Sequence, residues 1–174
     1  MSSLSLPLAA AFSLGAFATL SFYDGVVVHL VRERLPLREA AFVEHRLHTA
    51  RAVLFPVLLW FVFGWHGPRS VALALVVLDQ AFEVWDMAVE RRSRAHTGGL
   101  PSSEYLVHGW LVGLRSAALA FTFAIDRAHD DTAPLDALAG LLAPGAVAIA
   151  ALHVALALPF GRALFGRVRG LHAG

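Results

Sequence analysis

Five long apolar segments limit the possible folds of this chain more than any other feature. They cover about 8–31, 42–65, 71–90, 105–125 and 135–160, and a helix of about 20 mostly apolar residues can cross a bilayer. Backbone groups in lipid must bond within their own segment, so we expect an all-α polytopic integral membrane protein. The first segment lacks a basic start and contains Asp24 and His29, so we expect it to remain as a helix rather than act as a signal peptide.

Short connections between these segments favour an up-and-down antiparallel bundle of five transmembrane helices. Gly67 and Pro68 mark one turn, and Gly99 and Pro101 mark another. The chain contains no linker or repeat, so residues 1–174 are expected to form a single transmembrane domain.

Serine and proline residues predict where one helix is capped and where two others are kinked. Ser102 or Ser103 is expected to cap the fourth helix. Pro56 and Pro144 are expected to kink the second and fifth helices.

The arginine residues predict the orientation, since cytoplasmic loops carry an excess of positive charge. All 14 basic residues are arginine, which is typical of a GC-rich bacterial genome. Only Arg69 and Arg127 fall on one side of the predicted bundle, and Arg115 lies inside the fourth helix. We therefore expect a bacterial inner-membrane protein with its N-terminus outside and its C-terminus in the cytoplasm. The remaining arginines fall on the cytoplasmic side: Arg32, Arg34, Arg38, Arg46, Arg51, Arg91, Arg92, Arg94, Arg162, Arg167 and Arg169.

The composition supports a membrane protein and excludes several other classes. Hydrophobic residues make up 57% of the chain and charged residues 16%, against about 45–50% and about 25% in soluble domains. A net charge of +1 lacks the basic excess of a nucleic-acid-binding domain. The absence of cysteine excludes disulfide scaffolds, thiolate metal sites and cysteine nucleophiles.

Ionisable residues inside the predicted spans are costly and usually functional. In the third span, four acids fall within roughly 60° of one another at 100° per residue. They form one narrow acidic stripe, which consists of Asp79, Glu83, Asp86 and Glu90.

Histidines on the neighbouring spans are placed to meet this stripe. His45 and His48 are three residues apart and can face one neighbour, and Glu104 shares a face with His108. Asp24 and His29 are five residues apart, which separates them by roughly 140° on an ideal helix. Both can face one site only if Gly25 permits a local bulge.

Several of these residues also have a structural interpretation. Asp79 and Arg115 both lie near mid-membrane and are expected to form a structural ion pair. Arg46 and Arg51 could neutralise other acids, and His153 could be a hydrogen-bonded core residue apart from the site. Glu33, Glu39, Glu44 and Glu90 could be solvated near the headgroups.

A mixed set of imidazoles and carboxylates favours a metal site, because such sets suit non-haem iron, and imidazole also suits copper. Carboxylate-bridged di-iron sites in helical bundles use similarly spaced pairs that project inward. Iron, as a di-iron site, or copper is therefore expected, and haem b with histidines such as His153 is less favoured. The expected ligands are His45, His48, Glu83, Asp86, His108, Asp24, His29 and Glu104. The chain lacks the clustered histidine boxes of membrane desaturases and hydroxylases.

The first third of the chain resembles a known family. Residues 23–30 read Tyr-Asp-Gly-Val-Val-Val-His-Leu, which is similar to the Asp-Gly-x-x-x-His signature of a family of uncharacterised small bacterial membrane proteins. His48 and the apolar run that ends near Trp60 resemble that family's second helix, although the family's further histidines are missing here. The resemblance implies a polyhistidine membrane protein and no particular reaction.

These observations lead to three hypotheses of function. The first is a membrane metalloprotein, such as an oxidoreductase that acts on a lipid-soluble substrate. The second is a proton- or ion-conducting protein or transporter subunit that uses the acidic stripe, and the third is a non-catalytic metal-delivery or assembly protein. The lipid bilayer is the expected partner, and a homo-oligomer or a partner membrane subunit remains open.

Overall fold

The computed structural model describes residues 5–93, 95, 98–99, 101–168 and 170, and every regular element in these ranges is helical. The predicted all-α fold is confirmed. Arg94 and Arg169, which contributed to the predicted orientation, lie outside the described residues, as do His96 and His172.

The first apolar segment begins as helix α1 (Leu6–Phe22), and its hydrogen-bond pattern changes where α1 ends. It continues without interruption into a π-helical segment, Tyr23–Arg32, which ends with the Glu33 amide donating to the Val28 carbonyl at 2.8 Å. Two short 3-10 turns, Leu35–Leu37 and Glu39–Ala41, then lead into the second helix. The first apolar segment is therefore one long helix of two types.

Helix α2 (Phe42–Leu58) likewise ends in a π-helical segment, Leu59–Phe63. It continues through Pro56, and the Gly64 amide donates to the Leu59 carbonyl at 2.8 Å. The next turn requires left-handed backbone, with φ of +126° at Gly67, a conformation that glycine adopts without steric cost.

Three helices and a short tail helix complete the fold: α3 (Arg69–Ser93), α4 (Ser102–Ala124), α5 (Ala133–Ala157) and α6 (Pro159–Val168). The predicted serine cap of α4 is wrong. The helix begins at Ser102 itself, no side chain caps it, and the Pro101 carbonyl accepts bonds from the Glu104 and Tyr105 amides.

The predicted end of the fifth helix is also wrong. Leu158 is extended, with ψ of 147°, because it precedes a proline and the residue before proline avoids helical backbone. The chain then starts α6 at Pro159.

The helices pack around an apolar core in the half of the molecule away from most of the ionisable residues. Helix α1 packs mainly against α4 and α5, and α2 packs against α3 and α5. The core includes Leu14, Leu59, Val62 and Leu135, and each is at most 2% exposed. Many large apolar side chains point outward instead, such as Phe12, which is 74% exposed. An apolar outer surface of this kind is compatible with a lipid bilayer.

Four helical stretches are long and apolar enough to cross a membrane: Leu6–Leu37, Glu39–Phe63, Ser102–Ala124 and Ala133–Ala157. Helix α3 is not among them, although its 25 residues extend about 37 Å at 1.5 Å per residue. Every stretch of 18 residues along it contains the three acids Asp79, Glu83 and Asp86, and it is this charge rather than a lack of apolar residues that sets α3 apart from the other four.

Candidate metal centre

His29 lies at the centre of a buried group of imidazoles and carboxylates. Its Nδ1 atom is 3.7 Å from Oδ2 of Asp24, and its Nε2 atom is 4.0 Å from Oε1 of Glu44. Asp24, His29 and His108 form one possible ligand group, and His29, Glu44 and His48 form another; the ligand atoms of each lie within 4.8 Å of one another. We call these five residues the histidine cluster.

The π-helical segment explains why Asp24 and His29 face the same site. Bonds from residue i to i+5 bring residues five apart close together along the helix, which greatly reduces the angular separation expected on an ideal α-helix. The local bulge that the sequence requires at Gly25 is therefore realised as the whole segment Tyr23–Arg32. Such segments occur frequently at functional sites.

The separations inside the histidine cluster suit joint ligation of an ion better than hydrogen bonding. His108 Nε2 is 3.6 Å from Oδ1 of Asp24, and His48 Nε2 is 3.9 Å from Oε1 of Glu44. Hydrogen bonds of this type are about 2.7–3.2 Å long. Two ligands that each bind an ion tetrahedrally at about 2.0–2.2 Å lie about 3.4 Å apart. Small side-chain movements would therefore bring these atoms to a shared ion.

Two further acids adjoin the cluster. Oδ2 of Asp86 is 3.3 Å from Nε2 of His48, the same nitrogen that faces Glu44, so Asp86 could join that ligand group. Oε1 of Glu90 is 3.1 Å from Nδ1 of His108, on the opposite side of the ring from Asp24. A carboxylate in that position fixes the orientation and tautomer of a metal-binding histidine.

Glu83, a predicted ligand, lies instead among guanidinium groups. Arg115 forms ion pairs with both Asp79 and Glu83, so the Asp79 pairing expected from sequence is present and extends to a second acid. Arg51 adds contacts of 3.9 Å to Asp79 and 3.8 Å to Glu83. We call these four residues the arginine cluster.

Arg51 also reaches Asp86, the acid that adjoins the histidine cluster, because its Nη1 atom is 3.5 Å from Oδ2 of Asp86. The three acids Asp79, Glu83 and Asp86 of the acidic stripe therefore all lie within 4 Å of the Arg51 guanidinium.

His45 and His48 face different carboxylate and ring partners, so they do not act together as a ligand pair. His48 faces Glu44 and Asp86, whereas His45 stacks on His153 with ring centroids 5.5 Å apart and planes 20° apart. Both rings of that pair are buried. His153 was expected to stand alone, and its Nε2 atom would lie 3.9 Å from a Cβ atom added at Gly25. The pair therefore borders the histidine cluster without joining either ligand group.

The other predicted residues divide between buried and exposed positions. Glu104 is buried one helical turn before His108 and belongs to neither ligand group. Solvation near the headgroups is wrong for Glu44, which is 1% exposed, and for Glu90, whose side chain is 13% exposed. Glu39 is exposed as expected, and Glu33 contacts Arg38 at 3.1 Å. Arg46 is exposed.

Glu44 is the ligand candidate that the sequence argument missed. It precedes His48 by four residues, and residues at this spacing lie on one helix face. The same spacing relates Asp86 to Glu90. Extending the face analysis from the histidines to every acid within one turn would have found Glu44 as well.

No protein-family model matches this chain, and comparisons with curated proteins and with solved structures gave no significant match. The functional argument therefore depends on the geometry of the two clusters.

Proposed function

We propose that this chain is an integral membrane metalloprotein that binds metal at the histidine cluster. The observation that carries the proposal is the pair of buried ligand groups that share His29. All the ligand atoms are imidazole nitrogens or carboxylate oxygens, a set that suits iron, and copper and zinc also accept imidazole. The resemblance to the Asp-Gly-x-x-x-His family stays a prediction, and Asp24 and His29 are the two residues that carry it.

Two metal ions fit the arrangement better than one. Nδ1 of His29 faces Asp24, and Nε2 faces Glu44. An imidazole binds metal through a nitrogen that carries no proton, so His29 would bridge two ions as an imidazolate. Its two carboxylate neighbours supply negative charge that two cations would offset.

We also propose that α3 crosses the membrane and completes an antiparallel bundle of five helices. Its acids contact Arg51, Arg115, His48 and His108, so their charge is compensated inside the protein rather than exposed to lipid. The arginine distribution supports a bacterial inner membrane with the N-terminus outside and the cluster in the cytoplasmic half.

The proposed activity is an oxidoreductase reaction on a lipid-soluble substrate. A redox-active metal in the cytoplasmic half of the bundle would be accessible from the inner leaflet. A lipid-soluble substrate could reach it from there, whereas a water-soluble substrate would first have to leave water. The alternative is a metal-delivery or assembly protein, in which the same ligands would hold the metal only transiently.

Elemental analysis of protein purified in mild detergent tests the proposal. We expect about two ions of iron or copper per chain, retained through a brief wash with chelator. A content below about 0.2 ion per chain would contradict it, and loss of the metal in the wash would favour delivery. A Soret band in the visible spectrum would indicate haem instead.

A further inference from the structure

A cavity of about 460 Å³ lies beside the histidine cluster, between α1, α2, α4 and α5. Its volume falls within the range of about 300–1,000 Å³ that small-molecule sites occupy. Most of its wall is apolar, and its phenylalanine rings are those of Phe17, Phe22, Phe55 and Phe63. The cavity can therefore hold a mostly apolar organic molecule.

One end of the cavity reaches the proposed metal ligands. Asp24 and His48, which belong to different ligand groups, both line it, and His153 lines it nearby. A molecule in the cavity would therefore lie with one end against the histidine cluster.

Away from the metal ligands, the cavity opens toward the outer surface of the bundle. Phe22 of α1 and Leu141 of α5 line the cavity and are also 55% and 76% exposed. A Cβ atom added at Gly145, which lines the same wall, would meet no atom within 4 Å. In a bilayer, this side would face the acyl chains, so a ligand can enter from lipid without crossing water.

The charges along the cavity select against an acidic ligand. Among the described residues that line it, both guanidinium groups already contact acids: Arg115 pairs with Asp79 and Glu83, and Arg51 contacts Asp79. Asp24 adds a further negative charge at the same end. While the histidine cluster holds no metal, a ligand carboxylate or phosphate would find no unpaired guanidinium there, and its burial would be costly.

We propose that the cavity binds a long-chain lipid with an uncharged hydroxyl or carbonyl end, which lies next to Asp24 and His48. The role of this lipid as a substrate rests on the proposed metal function, whereas its binding in the cavity does not require the metal. The chain would lie along Phe17 and Leu119 toward the opening beside Leu141.

Photolabelling with a long-chain alcohol that carries a diazirine in its chain tests this directly. The protein in lipid nanodiscs is irradiated with the probe, and the labelled peptides are identified by mass spectrometry. In protein stripped of metal with chelator, we expect labels on α1 and α5, blocked by excess unlabelled hexadecanol and not by hexadecanoate at alkaline pH. Equal competition by the acid, or labels only on outward-facing residues, would overturn the proposal.

A matched pair of glycine variants keeps the test specific. Gly145→Leu fills the cavity, whereas Gly140→Leu lies on the same helix with equal free space but does not line it. Labelling inside the cavity should fall about tenfold in the first variant only. Equal labelling in both variants would overturn the proposal, and hexadecanol competition in the wild type decides it if Gly145→Leu does not fold.

The outcome also separates this proposal from the metal proposal. Lost labelling in a protein that keeps its metal would overturn the cavity assignment alone. Normal labelling in a protein without metal would overturn the metal assignment and leave the lipid site in place.

Discussion

The histidine and arginine clusters bury the same kind of acid beside different partners. In the arginine cluster, Asp79 and Glu83 contact guanidinium groups, which carry their charge at every physiological pH. In the histidine cluster, Asp24 and Glu44 contact imidazoles, which are neutral unless they gain a proton or bind a metal. The first arrangement is complete within the protein, whereas the second can accept a cation. Whether a buried acid has a structural role or can help to bind a metal therefore depends on the side chain beside it, and not on the acid itself.

Removing a guanidinium from the arginine cluster should have the largest effect on stability. Arg115→Leu leaves two buried acids with only the longer contacts of Arg51, and breaking a buried pair in this way costs about 3–5 kcal/mol. Thermal unfolding in detergent measures the loss. Arg38→Leu, which removes a partly exposed contact to Glu33, should cost at most about 1 kcal/mol.

Neutralising the acids of the arginine cluster provides the rescue for this test. If Asp79→Asn and Glu83→Gln are added to Arg115→Leu, much of the lost stability should return, because no buried charge is left without a partner. Equal stability of Arg115→Leu and Arg38→Leu would show that this cluster is not a structural ion-pair site.

Removing the shared ligand should have the largest effect on metal binding. His29→Ala deletes both ring nitrogens that face the two ligand groups, so we expect a loss of affinity beyond the roughly 100-fold seen when outer partners of a metal site are removed. Metal titration of the stripped protein measures it. His66→Ala, at an exposed turn, should bind as the wild type does, and retained affinity in His29→Ala would contradict the proposed site.

Metal removal should destabilise the wild type by less than Arg115→Leu does and by more than Arg38→Leu does. An ion present at 100 times its dissociation constant stabilises the folded state by about 2.7 kcal/mol, so chelation should lower the unfolding temperature. Arg115→Leu should keep this response, and His29→Ala should lose it. A chelator response that persists without His29 would place the metal elsewhere.

The smallest effect on metal binding should follow from removing Glu90, the acid that orients His108. Glu90→Ala removes the carboxylate 3.1 Å from Nδ1 of His108 and should weaken metal binding by about 10–100-fold. Glu39→Ala, an exposed acid outside both clusters, serves as its control in the same titration. An equal affinity in the two variants would show that Glu90 does not support the site.

The sequence predicted much of this arrangement because regular helices follow simple geometry. Apolar length predicted the helices, and the 100° period placed Asp79 and Glu83 on one face. The Asp79–Arg115 pair followed from depth alone, since the two residues lie at the same level on neighbouring helices.

The remaining features depend on departures from regular helices and on side-chain reach. The π-helical segment Tyr23–Arg32 changes the angle between Asp24 and His29, and no local residue pattern predicts its length. Arg51 contacts Glu83 and also Asp86, which adjoins the histidine cluster, because its side chain is long and flexible. The separate neighbours of His45 and His48 depend on which helix packs on each side of α2, which periodicity along one helix does not specify.

An anomalous difference map, recorded from crystals at the absorption edge of the bound metal, would locate the metal within the protein. We expect a peak among Asp24, His29 and His108, and a second among His29, Glu44 and His48. A peak between His45 and His153, a peak at the arginine cluster, or no peak in either ligand group would contradict the proposed metal site.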